Sequence, residues 1–452
     1  MNRNAEYEQL MLELEALAVP NSVERAMRRE RRNRCLVRSL TSIAAAFALF
    51  VIMVNCSTTV AYACSRVPGL RELAAAVTFS RSLSDAVDNE YVQPVNLSET
   101  NGDITVKVEH LIVDQRNVTV FYRFLSEKYP RLEADPRVLA ADGGASLPCT
   151  YGPNEWDVPN GELRSTTIGF VNEDVPPALR LQLKLRDMEA EEKAPRPVNA
   201  DVWADSPQTE FSYVAEFEFL LEFDPYFTAQ GKHFAGGQRF TLDSQTLYVE
   251  SVDVYPSYLN LTIRGDETNT AWLESLKFYL VTDHGERFNK VTNGIVSVKN
   301  SEDPGTISFR ADSTFFYDAY AVTICMTGAE WLDKGAETIH VDLKHAKADF
   351  MPEGAEFVSA KREGSRWVVT VLQESSAAQV FMQDYYDVAG NRYEYHSWTS
   401  GASSDHGVTA PEGYSYCSFP LNDYPYDEVW LTPRYTSRWT ADAPVEATVP
   451  LQ

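Results

Sequence analysis

The chain has 452 residues, 44% hydrophobic and 12% aromatic, enough for about three packed domains and too apolar for intrinsic disorder. Its formal net charge of -25 is unevenly spread: residues 1–71 hold ten Arg against six Glu, a net of +4, which leaves -29 for residues 72–452. So acidic a body argues against nucleic acid as its partner, because phosphate binding needs Lys and Arg, and the split suggests different surroundings for the two ends.

In the N-terminal tail, residues 1–38, Tyr7, Leu10, Met11, Leu14 and Leu17 recur at helical spacing with Glu6, Glu8, Glu13 and Glu15 between them. That pattern predicts a short amphipathic helix ending near Pro20. Asn21-Ser22-Val23-Glu24 begins a second helix, with Asn21 or Ser22 as N-cap. A short helix alone in water is marginal, so the apolar stripe calls for a partner: another copy, a cytoplasmic protein or the lipid surface. With no His before His110, the tail has no His/Cys zinc site.

From Ser39 to Ser65 no residue is charged; as helix this run reaches roughly 40 Å, against a hydrocarbon core of ~30 Å. The expected transmembrane helix covers residues 39–64 and includes Ser39, Leu40, Ile43, Phe47, Phe50, Ile52, Val54 and Ala63. Arg25, Arg28, Arg29, Arg31, Arg32, Arg34 and Arg38 precede it, and only Arg66 and Arg71 follow closely. The positive-inside rule then places the N-terminus in the cytoplasm and the C-terminal bulk outside, with the arginines against anionic lipid. Ala61-Tyr62-Ala63 fits a signal-peptidase site and Ala63-Cys64 hints at lipoprotein processing, but the region before the apolar core is far longer than a usual leader's.

Residues 65–102 form a juxtamembrane segment with helical character over Arg71–Glu90. From about Asp103 the pattern alternates, rich in Val, Tyr, Phe and Thr, and predicts strands. A repeat runs through it. Val108–Tyr122 aligns without gaps with Val249–Ile263, Glu109 falling on Glu250 and Val120 on Leu261, and Phe357–Val371 is a looser third copy. Each copy reads as strand, turn and strand, followed by an Asp/Gly turn (Asp142-Gly143, Asp283-His284-Gly285, Asp387 to Asn391) and a closing strand such as Leu179–Leu183, Tyr320–Ile324 or Val429–Thr432. The expected fold is mostly β: tandem immunoglobulin-like sandwiches at 103–225, 226–345 and 346–452, with joints at Asp224-Pro225 and Ala346–Gly354.

No G-x-S-x-G, Walker A, H-E-x-x-H or EF-hand pattern occurs; the expectation is no enzyme, no cofactor and no metal. His340 and His345 stand an odd number of residues apart, on opposite faces of a strand. The loop of Asp384, Asp387 and Asn391 offers oxygen ligands for Ca²⁺, though a plain turn is the simpler reading, and Glu189, Glu191 and Glu192 read as solvated surface. Tyr385, Tyr386, Tyr393, Tyr395, Trp398, Tyr414 and Tyr416 either line a carbohydrate or peptide groove for an envelope ligand or are ordinary strand residues. Of the six cysteines, Cys149, Cys325 and Cys417 are scattered through the β region; free thiols are expected, with one Cys149–Cys325 or Cys325–Cys417 bridge the alternative.

Asn55-Cys56-Ser57 through Val60-Ala61-Tyr62-Ala63 and Val67-Pro68-Gly69-Leu70 resembles the span-exit signature of the Gram-positive domain-of-unknown-function family 4179. Phe240–Val249 followed by Val252 and Tyr255-Pro256 is similar to the immunoglobulin-like family 5643. The first resemblance implies a single-span membrane protein of anti-sigma or envelope-sensor type, its tail holding an extracytoplasmic-function sigma factor while the β region senses a signal. The alternative is an envelope adhesion or scaffold protein that binds wall polymer or protein through its sandwiches.

Overall fold

The computed structural model describes residues 69–170, 173–193, 212–292, 296–300, 303–375, 379–403 and 407–452, with Glu8 and Met11 of the tail. Glu8 and Met11 are helical and exposed. The other expected tail residues Tyr7, Leu10, Leu14 and Leu17, the arginines Arg28 to Arg38 and the whole expected span from Ser39 to Ala63 lie outside the described residues. Among the described residues no helix is long and apolar enough to cross a membrane. Residues 69–452 form one compact unit, mostly β and built from antiparallel sheets.

The unit opens with α1 (Gly69–Ala76) and α2 (Arg81–Asp88). Ser80 caps α2, its hydroxyl accepting from Leu83 N at 3.4 Å, and α2 buries Ser82, Leu83, Ala86 and Val87. Eight strands follow: β1 (Gln93–Asn101), β2 (Ile104–Val113), β3 (Asn117–Leu125), β4 (Leu132–Ala140), β5 (Thr150–Pro153), β6 (Arg164–Gly169), β7 (Ala178–Asp187) and β8 (Tyr213–Glu222). They pair as β1-β2-β3-β6-β5 and β4-β7-β8. Period-two burial on β7 (Leu179, Leu181, Leu183, Leu185) and β8 (Phe217, Phe219, Leu221) supplies one face of the first core. The strands thus start at residue 93, ten residues before the expected boundary, because β1 is an edge strand whose Ser, Glu, Thr and Asn leave no apolar alternation to read.

Asp224, at the expected joint, caps the short helix Pro225–Thr228, its carboxylate accepting from Tyr226 N at 2.9 Å. Then come β9 (Lys232–Ala235), β10 (Arg239–Leu242), β11 (Gln245–Val254), β12 (Leu259–Gly265), β13 (Ala271–Thr282), β14 (Arg287–Asn289), β15 (Ser297–Lys299), β16 (Thr306–Ala311) and β17 (Ala321–Asp333). The last part holds β18 (Ile339–Asp342), β19 (Lys347–Ala348), β20 (Ala355–Glu363), β21 (Arg366–Glu374), β22 (Phe381–Tyr386), β23 (Arg392–Glu394), β24 (Thr399–Gly401), β25 (Tyr414–Leu421), β26 (Glu428–Pro433) and β27 (Ser437–Pro450).

The repeat is a repeat of register. Hairpins β2–β3, β11–β12 and β20–β21 each carry a bulge at one equivalent place: between Val108 and His110, between Val249 and Ser251, and between Phe357 and Ser359. In the first hairpin the extra residue is Glu109, aimed at Arg123 at 2.7 Å; Arg123 also reaches Glu72 of α1 at 2.7 Å. A bulge re-aims a side chain in this way. In the second hairpin the edge strand breaks opposite the bulge, β9 pairing with Ser251–Val254 and β10 with Gln245–Tyr248. The break runs through Gly236, where a Cβ would lie 2.1 Å from the Val249 carbonyl oxygen, so no other residue fits.

The strand pairings cross the expected boundary at 345/346 in both directions. In the first part β7 pairs with β8, the strand that follows it. In the second, β17 pairs not with β18 but with β27, the last strand of the chain. In the third, β26 pairs not with β27 but with β18. The second and third sandwiches therefore exchange their outer strands: β14-β13-β17-β27 closes the second core, and β19-β18-β26-β22-β23 the third. Ala447 and Val449 of β27 sit in the core with β13 and β17, and Ile339 and Val341 of β18 in the core with β21, β25 and β26. Alternation shows which residues of a strand are buried but not which strand buries them.

Candidate functional site

The hairpin turns β2–β3 and β11–β12 meet each other and join the first two sandwiches. Asp114, fully buried in the first turn, accepts from Arg116 N (2.9 Å) and Asn117 N (2.8 Å) in its own turn, and from Ser257 N (3.1 Å) and Ser257 Oγ (2.5 Å) in the second. Asn117 Nδ2 donates to Ser257 Oγ at 2.9 Å. Burial raises the Asp114 carboxyl above the ordinary aspartate range, against the pull of these donors.

Beside this joint lies a cleft of about 930 Å³ with three walls. The first sandwich contributes Asn117, Thr119, Thr167 and the edge strand β5 with the following Asn154 and Trp156; the second contributes Ser257, Tyr258, Lys290, Arg310 and Asp312. The third wall is Phe79–Leu83 at the start of α2. This helix is fastened to the second sandwich: Arg81 donates to Tyr317 Oη (2.9 Å) and to the Arg287 carbonyl, and Ser82 Oγ accepts from Ser313 N (2.8 Å).

Phe79, Tyr151 and Trp156 stand exposed at the rim, Trp156 at 69%. The floor is amide and hydroxyl: Thr119 and Thr167 share a hydrogen bond of 3.1 Å, and Asn154 Nδ2 donates to Thr167 Oγ1 at 2.9 Å. Asn117 is 2% exposed, and its Oδ1 has no hydrogen-bond partner among the described residues. Arg310 is 8% exposed and lies over the Tyr258 ring, Cζ 4.1 Å from the centroid. Among the described residues no carboxylate pairs with Arg310, although buried charges are normally paired. Lys290 donates to the Leu276 carbonyl at 2.9 Å and burial lowers its pKa. Burial raises that of Asp312, whose carboxylate accepts from Asn289 N at 3.3 Å.

The candidates at the C-terminal end are arranged otherwise. Tyr385, Tyr395 and Tyr416 are buried. Tyr385 and Tyr395 belong to the third core, with Tyr393 packed against it, and Tyr395 stacks on Phe419 at 4.5 Å. Tyr386 and Tyr414 are half-buried and Trp398 alone of the seven is a large exposed ring, so Tyr385, Tyr393 and Tyr395 serve the third core. His340 and His345 face different carboxylates, Asp349 (3.3 Å) and Asp342 (2.7 Å), and no cluster of three metal-ligating side chains occurs among the described residues. Cys149, Cys325 and Cys417 are all free, and burial raises their thiols, Cys149 to about 11. Glu191 and Glu192 are drawn into ion pairs with Arg186 (3.2 Å) and Arg131 (2.9 Å).

Asp387 is saturated by its own turn, accepting from Ala389 N (2.8 Å), Asn391 N (2.9 Å), Asn391 Nδ2 (2.8 Å) and Tyr393 Oη (3.2 Å). Donors of this kind hold its pKa below the usual carboxylate range and leave no lone pair directed at a cation. Millimolar Ca²⁺ is therefore expected to leave the melting temperature of the protein unchanged. A calcium-dependent rise that disappears in Asp387→Asn is the contrary result.

The site's residues come from segments far apart in sequence; Asn117 and Thr119 fall in the first copy of the repeat and Ser257 and Tyr258 in the second, and the others belong to no motif. One signal was available: Thr306–Ala311 is apolar or small on both faces except for Arg310, a charge inside a buried strand.

No curated protein matches the sequence. A solved structure, that of the conserved domain protein from Bacillus anthracis, is 13% identical, with 57% of this chain and 84% of that chain covered at a TM-score of 0.36, a likeness too slight to carry a conclusion. The second resemblance, to family 5643, is not shown. Residues 31–126, which take in the arginine-flanked apolar run, α1, α2 and the first hairpin, match the family model described as domain of unknown function (DUF4179).

Proposed function

We propose that the chain is a single-span envelope sensor of anti-sigma type. Residues 1–38 lie in the cytoplasm, residues 39–64 cross the membrane, and tandem immunoglobulin-like sandwiches stand outside, where the cleft between the first two receives the signal. One observation carries this reading: the third wall of the cleft, Phe79–Leu83, follows the apolar run closely in sequence. A ligand there touches the segment that leads to the membrane, and α1 and α2 are bonded to both sandwiches, through Glu72–Arg123 and Ser82–Ser313. The arginine cluster supports the orientation, and the tail stripe of Tyr7, Leu10, Met11, Leu14 and Leu17 is the surface for a sigma factor.

The test uses the full-length chain in cells. Leu10→Asp with Leu14→Asp is expected to abolish co-purification of a sigma factor and to raise transcription of its targets. Unchanged transcription and unchanged co-purification would sink the sensor reading. The exposed aromatic rim also favours a second reading, an envelope scaffold that holds wall polymer. In that case Trp156→Ala lowers retention on isolated cell walls while the tail variant does nothing.

A further inference from the structure

We propose that the cleft binds an acidic oligosaccharide, its carboxylate or phosphate seated on Arg310 and a sugar ring laid against Trp156 or Tyr151. The inference rests on the cleft as a ligand site but not on the signalling role. Three features of the cleft converge on this ligand.

The first is charge. Arg310 is nine-tenths buried and lacks a carboxylate among the described residues, in a protein of net charge -25. Stacking on Tyr258 orients the guanidinium, but its planar fork of donors is matched by a carboxylate or phosphate. The second is the rim: Tyr151 and Trp156 offer flat faces at little conformational cost. The third is the floor, where Asn117, Thr119, Asn154 and Thr167 present hydroxyls and amides, and the unpartnered, buried Asn117 Oδ1 waits for a donor such as a sugar hydroxyl.

A peptide is the competing occupant, and the edge strand decides against it. Extended peptides add to a free strand edge, but β5 is only four residues long and carries Gly152-Pro153, which blunts an edge against pairing.

The experiment is a binding titration of the full-length protein in detergent with a panel of uronic, sialic and phosphorylated oligosaccharides, their neutral counterparts, inorganic phosphate, and acidic peptides of equal charge. Acidic sugars are expected to bind about tenfold or more tighter than neutral ones, an advantage of one charge-assisted bidentate contact. Arg310→Gln is expected to erase that preference. Trp156→Ala, at an exposed site where folding is not at stake, weakens all sugars by about fivefold or more. Asp312→Asn, which removes the competing negative charge, tightens the acidic ones. The proposal is overturned if neutral and acidic sugars bind alike, if phosphate alone or the acidic peptides bind as tightly as the sugars, if nothing in the panel binds, or if Asp312→Asn and Trp156→Ala both leave binding unchanged. Should transcription respond to Trp156→Ala while no acidic sugar binds, the sensor survives and the ligand class falls; acidic sugar binding with a silent tail variant is the reverse case.

Discussion

Deleting Ser437–Gln452 is expected to unfold the middle sandwich, which ends in sequence a hundred residues earlier. The strand lost, β27, pairs with β17 from Ala321↔Pro450 to Trp331↔Ser437. It buries Ala447 and Val449 and packs Trp439, Val445 and Leu451 against the same core. A fully buried valine contributes about 1.5–3 kcal/mol, and with its neighbours and the ladder the strand contributes about 5 kcal/mol or more, comparable with the whole stability of a small domain. Arg438 at its start lies 3.3 Å from Glu330 and 2.7 Å from Glu374, tying the second sandwich to the third. The deletion also lays bare β17, the thirteen-residue strand Ala321–Asp333, an edge prone to aggregation. Hydrogen exchange by mass spectrometry reads this directly: protection is expected to vanish over β13 and β17 and to persist over β2 and β3. Unaltered protection in β13 and β17 would mean that β27 is a dispensable edge. The point variant Val449→Asp, which buries an unpaired charge, should give the same pattern in milder form.

What could be read from the sequence follows from what alternation encodes. The three hairpins announce themselves because one face of each strand is buried, and the copies align on their apolar positions down to the register about Val120 and Leu261. Their shared bulge was hidden, since an extra residue leaves the composition unchanged; only the coincidence of Glu109 with Glu250 marked it. The strand exchange was hidden for a different reason. Ile339 to Val341 and Val445 to Val449 alternate equally well in either sandwich, and the choice between adjacent and distant partners is made by cores assembled from the whole chain. The aromatic run from Tyr385 to Tyr416 left two readings open for a related reason: tyrosines at strand spacing fill a core or line a groove with the same pattern, and here Tyr385, Tyr395 and Tyr424 pack edge and face together inside. The cleft gave no warning beyond Arg310, because its walls come from Phe79, Trp156 and Tyr258, residues that only the meeting of two turns brings together.

That meeting depends on Asp114, and Asp114→Ala is expected to cost about 3–5 kcal/mol, most of it at the joint. Removing the carboxylate strands the buried Asn117 N, at about 1–3 kcal/mol for a buried unsatisfied donor, and the part-buried Arg116 N and Ser257 N, at the lower end of that range each. Asp114→Asn separates the two halves of the bond set. Its oxygen can still accept from Arg116 and Asn117, but its amide faces the Ser257 N–H with a donor, so the turn is kept and the cross-link is weakened to the bond from Asn117 Nδ2 to Ser257 Oγ. Distances between spin labels at Tyr151 and Thr292, on opposite walls of the cleft, should broaden in both variants. The pH dependence has a definite sign. Burial raises the folded pKa of Asp114 above its ordinary 3.8, so its linkage contribution is fully present below that value and is lost as pH rises through the folded pKa. The stability gap between wild type and Asp114→Asn should therefore narrow as pH climbs from about 4. A gap that widens would mean that the four donors outweigh desolvation. Label distances unchanged in Asp114→Ala would mean that the sandwiches are held together elsewhere, through α2 and Ser313, and the cleft would then owe its shape to the helix and not to the paired turns.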